Sequence, residues 1–242
     1  MSTETPRGTT FTKKLNSRLI NETPCKNNSF VTSGMSICGY SHSELLHNIC
    51  YSDFIYLLFK QELPSKKISK LFKQYCIAFG IPSLRNPASQ AIVAGAVGKT
   101  RTTSLISIGV GLFGSKDGAG QTEDIMKQFN KCNSDIGFGT IHGDIDTYAS
   151  KLLNEFSDEH HTKTLLWAKS VNEKLVTQNQ GILMAGLSAA ILCDVGILPK
   201  DGPLIYQSIV APGLAAHAAQ FKNKPLTDYF FESDDDYIIS SE

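Results

Sequence analysis

An all-α fold is what this sequence predicts, and three observations carry that reading. Apolar residues recur at three- and four-residue steps, as in Ile68, Leu71, Phe72, Tyr75 and Phe79. Helix start and stop residues bracket the stretches that show this period. No segment alternates with a two-residue period over a strand's length, and β-branched residues are too scattered for repeated βαβ units.

The elements follow in order. Residues 1 to about 35 are rich in Ser, Thr, Asn and Lys and read as a flexible N-terminal arm. Ser41 and Glu44 have capping-box spacing ahead of Leu45, Leu46, Ile49 and Cys50. Ser52 is placed to cap DFIYLLFK. Pro64 and Ser65 open KKISKLFKQYCIAFG, which Gly80 is expected to end in a left-handed conformation. Pro87 suits the first position of a helix through ASQAIVAGAVG. Thr122 precedes EDIMKQF, and Thr147 to Phe156 and Thr164 to Leu175 are helical by period. An apolar helix covers about Ile182 to Val195. The last, near Pro203 to Phe221, holds Pro212 and Gly213 and is expected to bend or break there. The ESDDD run near 232 to 236 reads as a solvated acidic tail.

Composition narrows the function classes. The chain has 242 residues, a 41% hydrophobic fraction and a formal net charge of zero. That size suits one domain, or a large domain carrying a smaller one. A neutral chain without a basic stripe offers no electrostatic footprint for nucleic acid. The six cysteines never form C-x-x-C and lack zinc-finger spacing. The longest apolar run, ILMAGLSAAILC, stops at Asp194, short of the roughly 20 residues that span a bilayer. With no secretory hydrophobic region at the start, the expectation is a cytoplasmic protein with reduced thiols and no membrane partner.

One stretch looks like a nucleotide site. GVGLFGSKDGAGQTEDI, residues 109 to 125, begins with G-x-G-x-x-G behind the apolar run SLISI. A dinucleotide fingerprint needs a strand before it and a helix starting within it, so that backbone N–H groups meet the pyrophosphate. Here SKDGAGQ follows Gly114, and the next helix is expected only near Thr122. GAVGKT at 95 to 100 fails as a P-loop, because the position five before Gly98 is Val93. A better reading gives Gly109 and Gly111 a close-packing role. The Gly-rich loop 114 to 120 then offers its N–H groups to the carbonyl or diphosphate of an acyl thioester.

From about residue 38 onward the chain resembles the citrate synthase/citryl-CoA lyase family. CGYSHSELLHNICYSDFIYLLFKQELPS is similar to that family's opening G-Y turn, helix and L-L-x-G-E-L-P-like segment. VGLFGSKDGAGQTED resembles its G-x-x-H-G-G-A-x-E loop, and IGFGTIHGDIDTYA its G-F-G-H-x-x-(H/Y)…D-P-R-A stretch. GLSAAILCDVGILP, VAPGLAAHAAQF and PLTDYFFESDDDYI are similar to its later helices and closing segment. The resemblance implies a helical homodimer with a large domain (36–115 and 200–242) and a small domain (116–199). It also implies an acyl-CoA cleft and chemistry at a carbon–carbon bond next to a thioester. In that chemistry an Asp takes the α-proton, histidines stabilise the enolate and polarise the keto acid, and arginines hold carboxylates.

Most of those groups are missing. The loop histidine position is Asp117, and the histidine after G-F-G is Thr140. The arginine near D-P-R-A falls at Tyr148, the aspartate at Ala185 and the arginine before T-x-G at Val210. An expected His-Gly reads Phe79 then Gly80. Losing one catalytic acid, base or oxyanion donor typically costs about 10²–10⁴-fold, and an unclamped tricarboxylate would be desolvated without compensating charge. The expectation is a thioester-handling protein with a remodelled site that is not a functional citrate synthase. The alternative is a non-catalytic relative keeping the dimeric scaffold to bind a ligand or protein.

The candidate catalytic residues are Asp117, Thr140 and His142. Candidates for meeting a coenzyme A thioester are Gly114, Lys116, Gly118 and Gly120 of the loop, with Lys99 and Arg101 beside it. No tightly bound cofactor or metal is expected. For the H-G-D-I-D segment three readings stand: an acid/base pair of His142 with Asp117, an oxygen-rich metal site, or a solvated turn whose Asp144 or Asp146 caps the next helix. His160 and His161 are read as an exposed helix junction, and His217 as a structural hydrogen-bonding group in the final helix.

Overall fold

The computed structural model describes residues 17–114, 119–133 and 136–229. The chain divides into two compact units, Met1–Pro64 and Ser65–Glu242.

From Ile20 onward the first unit is ordered where a flexible arm was expected, and residues 1–16 of that arm lie outside the described residues. Strands β1 (Ile20–Cys25), β2 (Asn28–Ile37) and β3 (Tyr40–Ser41) form an antiparallel sheet. Its register runs from Ile20 opposite Ile37 to Thr23 opposite Gly34, then slips so that Pro24 faces Thr32. The slip falls where proline has no N–H to give the ladder, and the Ser33 hydroxyl donates to the Thr23 carbonyl at 2.9 Å. Periodicity missed the hairpin because most of its residues are exposed, so no alternation was imposed on them. Helices α1 (His42–Asn48) and α2 (Tyr51–Lys60) follow. Ile37, Leu45 and Leu57 form this unit's buried cluster. Ser41 precedes α1 without a side-chain cap, and Cys50 rather than Ser52 occupies the cap position of α2.

The second unit is helical. Ser65 caps α3 (Lys66–Phe79) by accepting from the Ile68 N–H. Asn86 caps α4 (Pro87–Val97), with Pro87 in the first turn, where its missing N–H costs nothing. Helices α5 (Thr102–Gly111), α6 (Ala119–Phe129), α7 (Thr147–His160), α8 (Lys163–Val176), α9 (Met184–Asp194) and α10 (Gly202–Phe221) complete the set. Two short strands, β4 (Phe138–Gly139) and β5 (Gly181–Ile182), pair antiparallel. Helix α10 packs on α3, α4, α5 and α6, while α9 packs on α6 and α8. Ile92, Val93, Leu105, Val210 and Leu214 fill the core beneath α10.

Several local expectations change. SLISI is part of α5, so a helix and not a strand precedes the glycines, which removes the dinucleotide reading. Helix α6 begins at Ala119, three residues before Thr122. Gly109 packs closely, an added Cβ falling 3.1 Å from Leu214 Cδ1, but Gly111 has nothing within 4 Å. Gly80 ends α3 with φ −67°, a right-handed conformation. Helix α10 runs unbroken through Pro212. His160 is buried rather than exposed, while His161 closes α7 with φ 48°.

Candidate functional site

A cleft of about 910 Å³ opens in the second unit, between the end of α3, the turn 80–86, the turn 141–144, the outer face of α7 and the starts of α9 and α10. Two residues one helical turn apart on α10 position its 80–86 wall. Gly213 lets the Gly80 carbonyl approach, an ideal Cβ there falling 2.3 Å from that oxygen. His217, buried, hydrogen-bonds the Pro82 carbonyl through Nε2 at 2.9 Å. The sequence reading of His217 as structural therefore stands, with the 80–86 turn as its partner. Within that turn the Asn86 carboxamide oxygen accepts from the Ala88 N–H at 2.9 Å. The Ser83 hydroxyl accepts from the Arg85 N–H at 3.2 Å. The Arg85 side chain lines the cleft, and among the described residues its guanidinium makes no ion pair.

The opposite wall is α7. Gln74 on α3 donates to Glu159 at 2.8 Å, and Lys70 pairs with the same carboxylate at 2.6 Å. Those two bonds hold the Glu159 carboxyl below its usual range. The Gln74 carboxamide oxygen meets His160 Nε2, and burial keeps that imidazole's pKa below its ordinary value. Deeper, Tyr206 lies edge-on to Phe113 with ring centroids 5.6 Å apart. Burial raises its pKa, so the phenol stays protonated, and its hydroxyl has no hydrogen-bond partner among the described residues.

Of the sequence-predicted catalytic residues, His142 lines the cleft. It sits exposed at φ 51° in a turn closed by Ile141 and Asp144, whose N–H and carbonyl groups bond reciprocally at 2.7 and 3.1 Å. Thr140 is exposed and is not part of the lining. Asp117, Lys116 and Gly118 lie outside the described residues. Gly114 and Gly120 meet each other, the Gly120 N–H donating to the Gly114 carbonyl at 3.1 Å, and neither lines the cleft. The Lys99 ammonium donates to the carbonyls of Lys222 and Lys224, both at 2.9 Å, and so binds the chain leaving α10. Arg101 precedes α5, exposed and away from the cleft lining. Asp146 accepts from the Ala149 N–H at 2.9 Å and caps α7, as the solvated-turn reading of H-G-D-I-D expects. Among the described residues no group of three or more His, Cys, Asp or Glu is placed to hold a metal ion.

Arg85 and Tyr206 were not singled out from the sequence. Arg85 sits in a turn between two helices, and its nearest signal was only the Asn-Pro start that follows it. Tyr206 falls in an apolar helix with no polar pattern to mark it. At the start of α9, Met184 lines the cleft, and the first turn, Ala185 included, carries no carboxylate.

This architecture is the mainly helical citrate synthase/citryl-CoA lyase fold. The citryl-CoA lyase of Hydrogenobacter thermophilus superposes with a TM-score of 0.76 at 19% identity, covering 94% of this chain and 95% of that one. The ATP citrate lyase of Methanothrix soehngenii, solved in complex with citrate and coenzyme A, gives 0.72 at 11% identity over 96% of this chain and 44% of its own. The citrate synthase of Thermotoga maritima gives 0.53 at 12% identity over 95% and 94% of the two chains. No protein-family model matches the sequence, and no curated protein sequence does. No helix among the described residues is long and apolar enough to cross a membrane.

Proposed function

We propose that this protein is a cytoplasmic, homodimeric relative of the citryl-CoA lyases that binds an acyl-CoA thioester in the α3–α7 cleft with a remodelled active site. The observation that carries the reading is the cleft itself. It has a ligand-sized volume, with His142 at its rim, the Arg85 guanidinium on one wall and the Tyr206 phenol within, neither of the last two carrying an ion pair or hydrogen bond from its side chain among the described residues. Clefts of this size with few convergent polar groups are the usual form of small-molecule sites. Coenzyme A and citrate occupy the related ATP citrate lyase, which supports a thioester as ligand here.

In this reading His142 moves the proton, and Asp117, outside the described residues, is the second acid/base candidate. The Tyr206 hydroxyl donates to the thioester carbonyl, and Arg85 meets an anionic group. Citrate chemistry is not expected, because the opening of α9 holds no carboxylate to remove an acetyl α-proton. Titration calorimetry with coenzyme A and acetyl-CoA tests binding. Incubation with acetyl-CoA and oxaloacetate, followed by release of free thiol, tests the lost activity. Turnover at a family-like rate refutes the remodelled site. If a thioester is processed, Asp117→Asn, His142→Ala and Tyr206→Phe should each lower turnover about 10²-fold or more. Binding without chemistry in the unaltered protein supports the second reading, a non-catalytic scaffold, which the carboxylate-free start of α9 also favours.

A further inference from the structure

We infer that the cleft selects thioesters with an apolar acyl group, medium-chain or aromatic, over acetyl and over di- or tricarboxylate acyl groups. The inference rests on the thioester reading above and specifies its substrate.

Its first basis is where apolar surface is left uncovered. Ile77, Ile81, Tyr148 and Ile141 are 71%, 59%, 58% and 48% exposed, although each is a large apolar or aromatic residue. They come from four separate places, the end of α3, the 80–86 turn, the start of α7 and the 141–144 turn, and all line the same concavity. Scattered exposed apolar residues are ordinary, but convergence on one concave surface marks a binding site. Phe79 continues the apolar lining inward as a buried residue.

Charge gives the second basis. Among the described residues, the basic side chains lining the cleft are Arg85 and His142, while Glu155 and Glu159 line it as well. Lys70 neutralises Glu159 at 2.6 Å, whereas Lys151 stands 3.9 Å from Glu155 in an exposed pair. A tricarboxylate entering here would meet, among the described residues, one permanent cation for three carboxylates, with Glu155 repelling it. A ligand with an apolar body and one anionic end fits both the wall and the charge.

Each methylene removed from water is worth about 4-fold in affinity, so four additional methylenes predict a preference on the order of 10²-fold. The test is calorimetry on the full chain with coenzyme A, acetyl-CoA, hexanoyl-CoA and citryl-CoA, with hexanoate and citrate as a separate arm. Sedimentation velocity runs alongside. Hexanoyl-CoA should bind at least about 10-fold more tightly than acetyl-CoA, with citryl-CoA weakest. The double substitution Ile77→Ser with Ile141→Ser should bring the hexanoyl-to-acetyl ratio near one, its melting temperature confirming a folded chain. Binding of coenzyme A with no acyl preference, or citryl-CoA binding tightest, overturns the inference and keeps the thioester reading. Hexanoate binding without any coenzyme A ligand binding overturns the thioester reading and keeps the apolar wall. No binding by any ligand overturns both. If the double substitution dissociates a dimer while the acyl ratio stays unchanged, the rim is a subunit interface and the inference falls.

Discussion

Helix α9 and the cleft rim are both apolar, yet they use that chemistry in opposite ways. Residues 186–192 of α9 are all buried, and Gly186 brings the helix so close to its neighbour that an ideal Cβ would fall 2.1 Å from the Gly137 carbonyl. At the rim, Ile77 and Ile81 are more than half exposed. The contrast teaches that the same residue types stabilise the fold where backbone contact shuts out water. Where two turns stand apart, they leave a surface for something else. Helix α10 links the two regions, since its Gly213 and His217 hold the turn that carries Ile81.

The largest effects should come from breaking the tight side. Alanine normally favours a helix over glycine by about 1 kcal/mol. Gly186→Ala and Gly213→Ala should reverse that sign, because the added methyl meets backbone carbonyls at 2.1 and 2.3 Å. Overpacking of this kind costs about 1–3 kcal/mol or more, read by urea denaturation. Gly213→Ala should also weaken ligand binding by displacing the 80–86 turn; stability gained in either variant would contradict the close approach.

Next comes the Asp194 carboxylate, which accepts from the Thr164 and Leu165 N–H groups at 2.8 Å each and from the Thr162 hydroxyl at 2.6 Å. It caps α8 from the end of α9. Asp194→Ala should cost about 1–3 kcal/mol, with faster amide exchange in the first turn of α8.

Acid should expose the α3–α7 wall. Above pH about 6.5 the His160 imidazole is neutral in both the folded and unfolded chains and sets no slope. Below it, the unfolded chain takes up a proton that buried His160 resists, so stability falls until the depressed folded pKa is passed. The Glu159 contribution is present above the ordinary carboxylate value of 4.5 and is lost as pH drops further. Lys70 and Lys67 oppose protonation of His160 and Glu159 favours it. Melting temperature against pH should flatten just below about pH 6.5 in His160→Asn, and an unchanged slope there would assign the loss to other groups.

Smallest of all, Ile77→Ser should change stability by no more than about 0.5 kcal/mol. A large loss would mean that the rim is already packed against another surface, and the contrast with α9 would fail.

Reading the sequence recovered the helical class and many helix boundaries, because period and caps are local signals. Ser65, Pro87 and Asp146 stand where capping chemistry places them. The hairpin was missed because its strands are exposed, and α6 was placed late because Ala119 and Gly120 resemble the glycine loop before them. Of the candidate site, His142 was legible from its short polar segment. Arg85 and Tyr206 were not, since their importance comes from neighbours contributed by other helices. Lys99 and Arg101 looked like phosphate ligands from nearness in sequence, yet neither lines the cleft, and Lys99 instead binds the chain leaving α10.

The sequence by itself determined an α-helical chain resembling the citrate synthase/citryl-CoA lyase family. Those facts reside in residue type and spacing. Tertiary structure alone decided that His142 shares a cleft with Arg85 and Tyr206, and that four apolar side chains converge around them. Such convergence depends on how close helices can approach, which Gly213 against the Gly80 carbonyl fixes and no periodicity encodes.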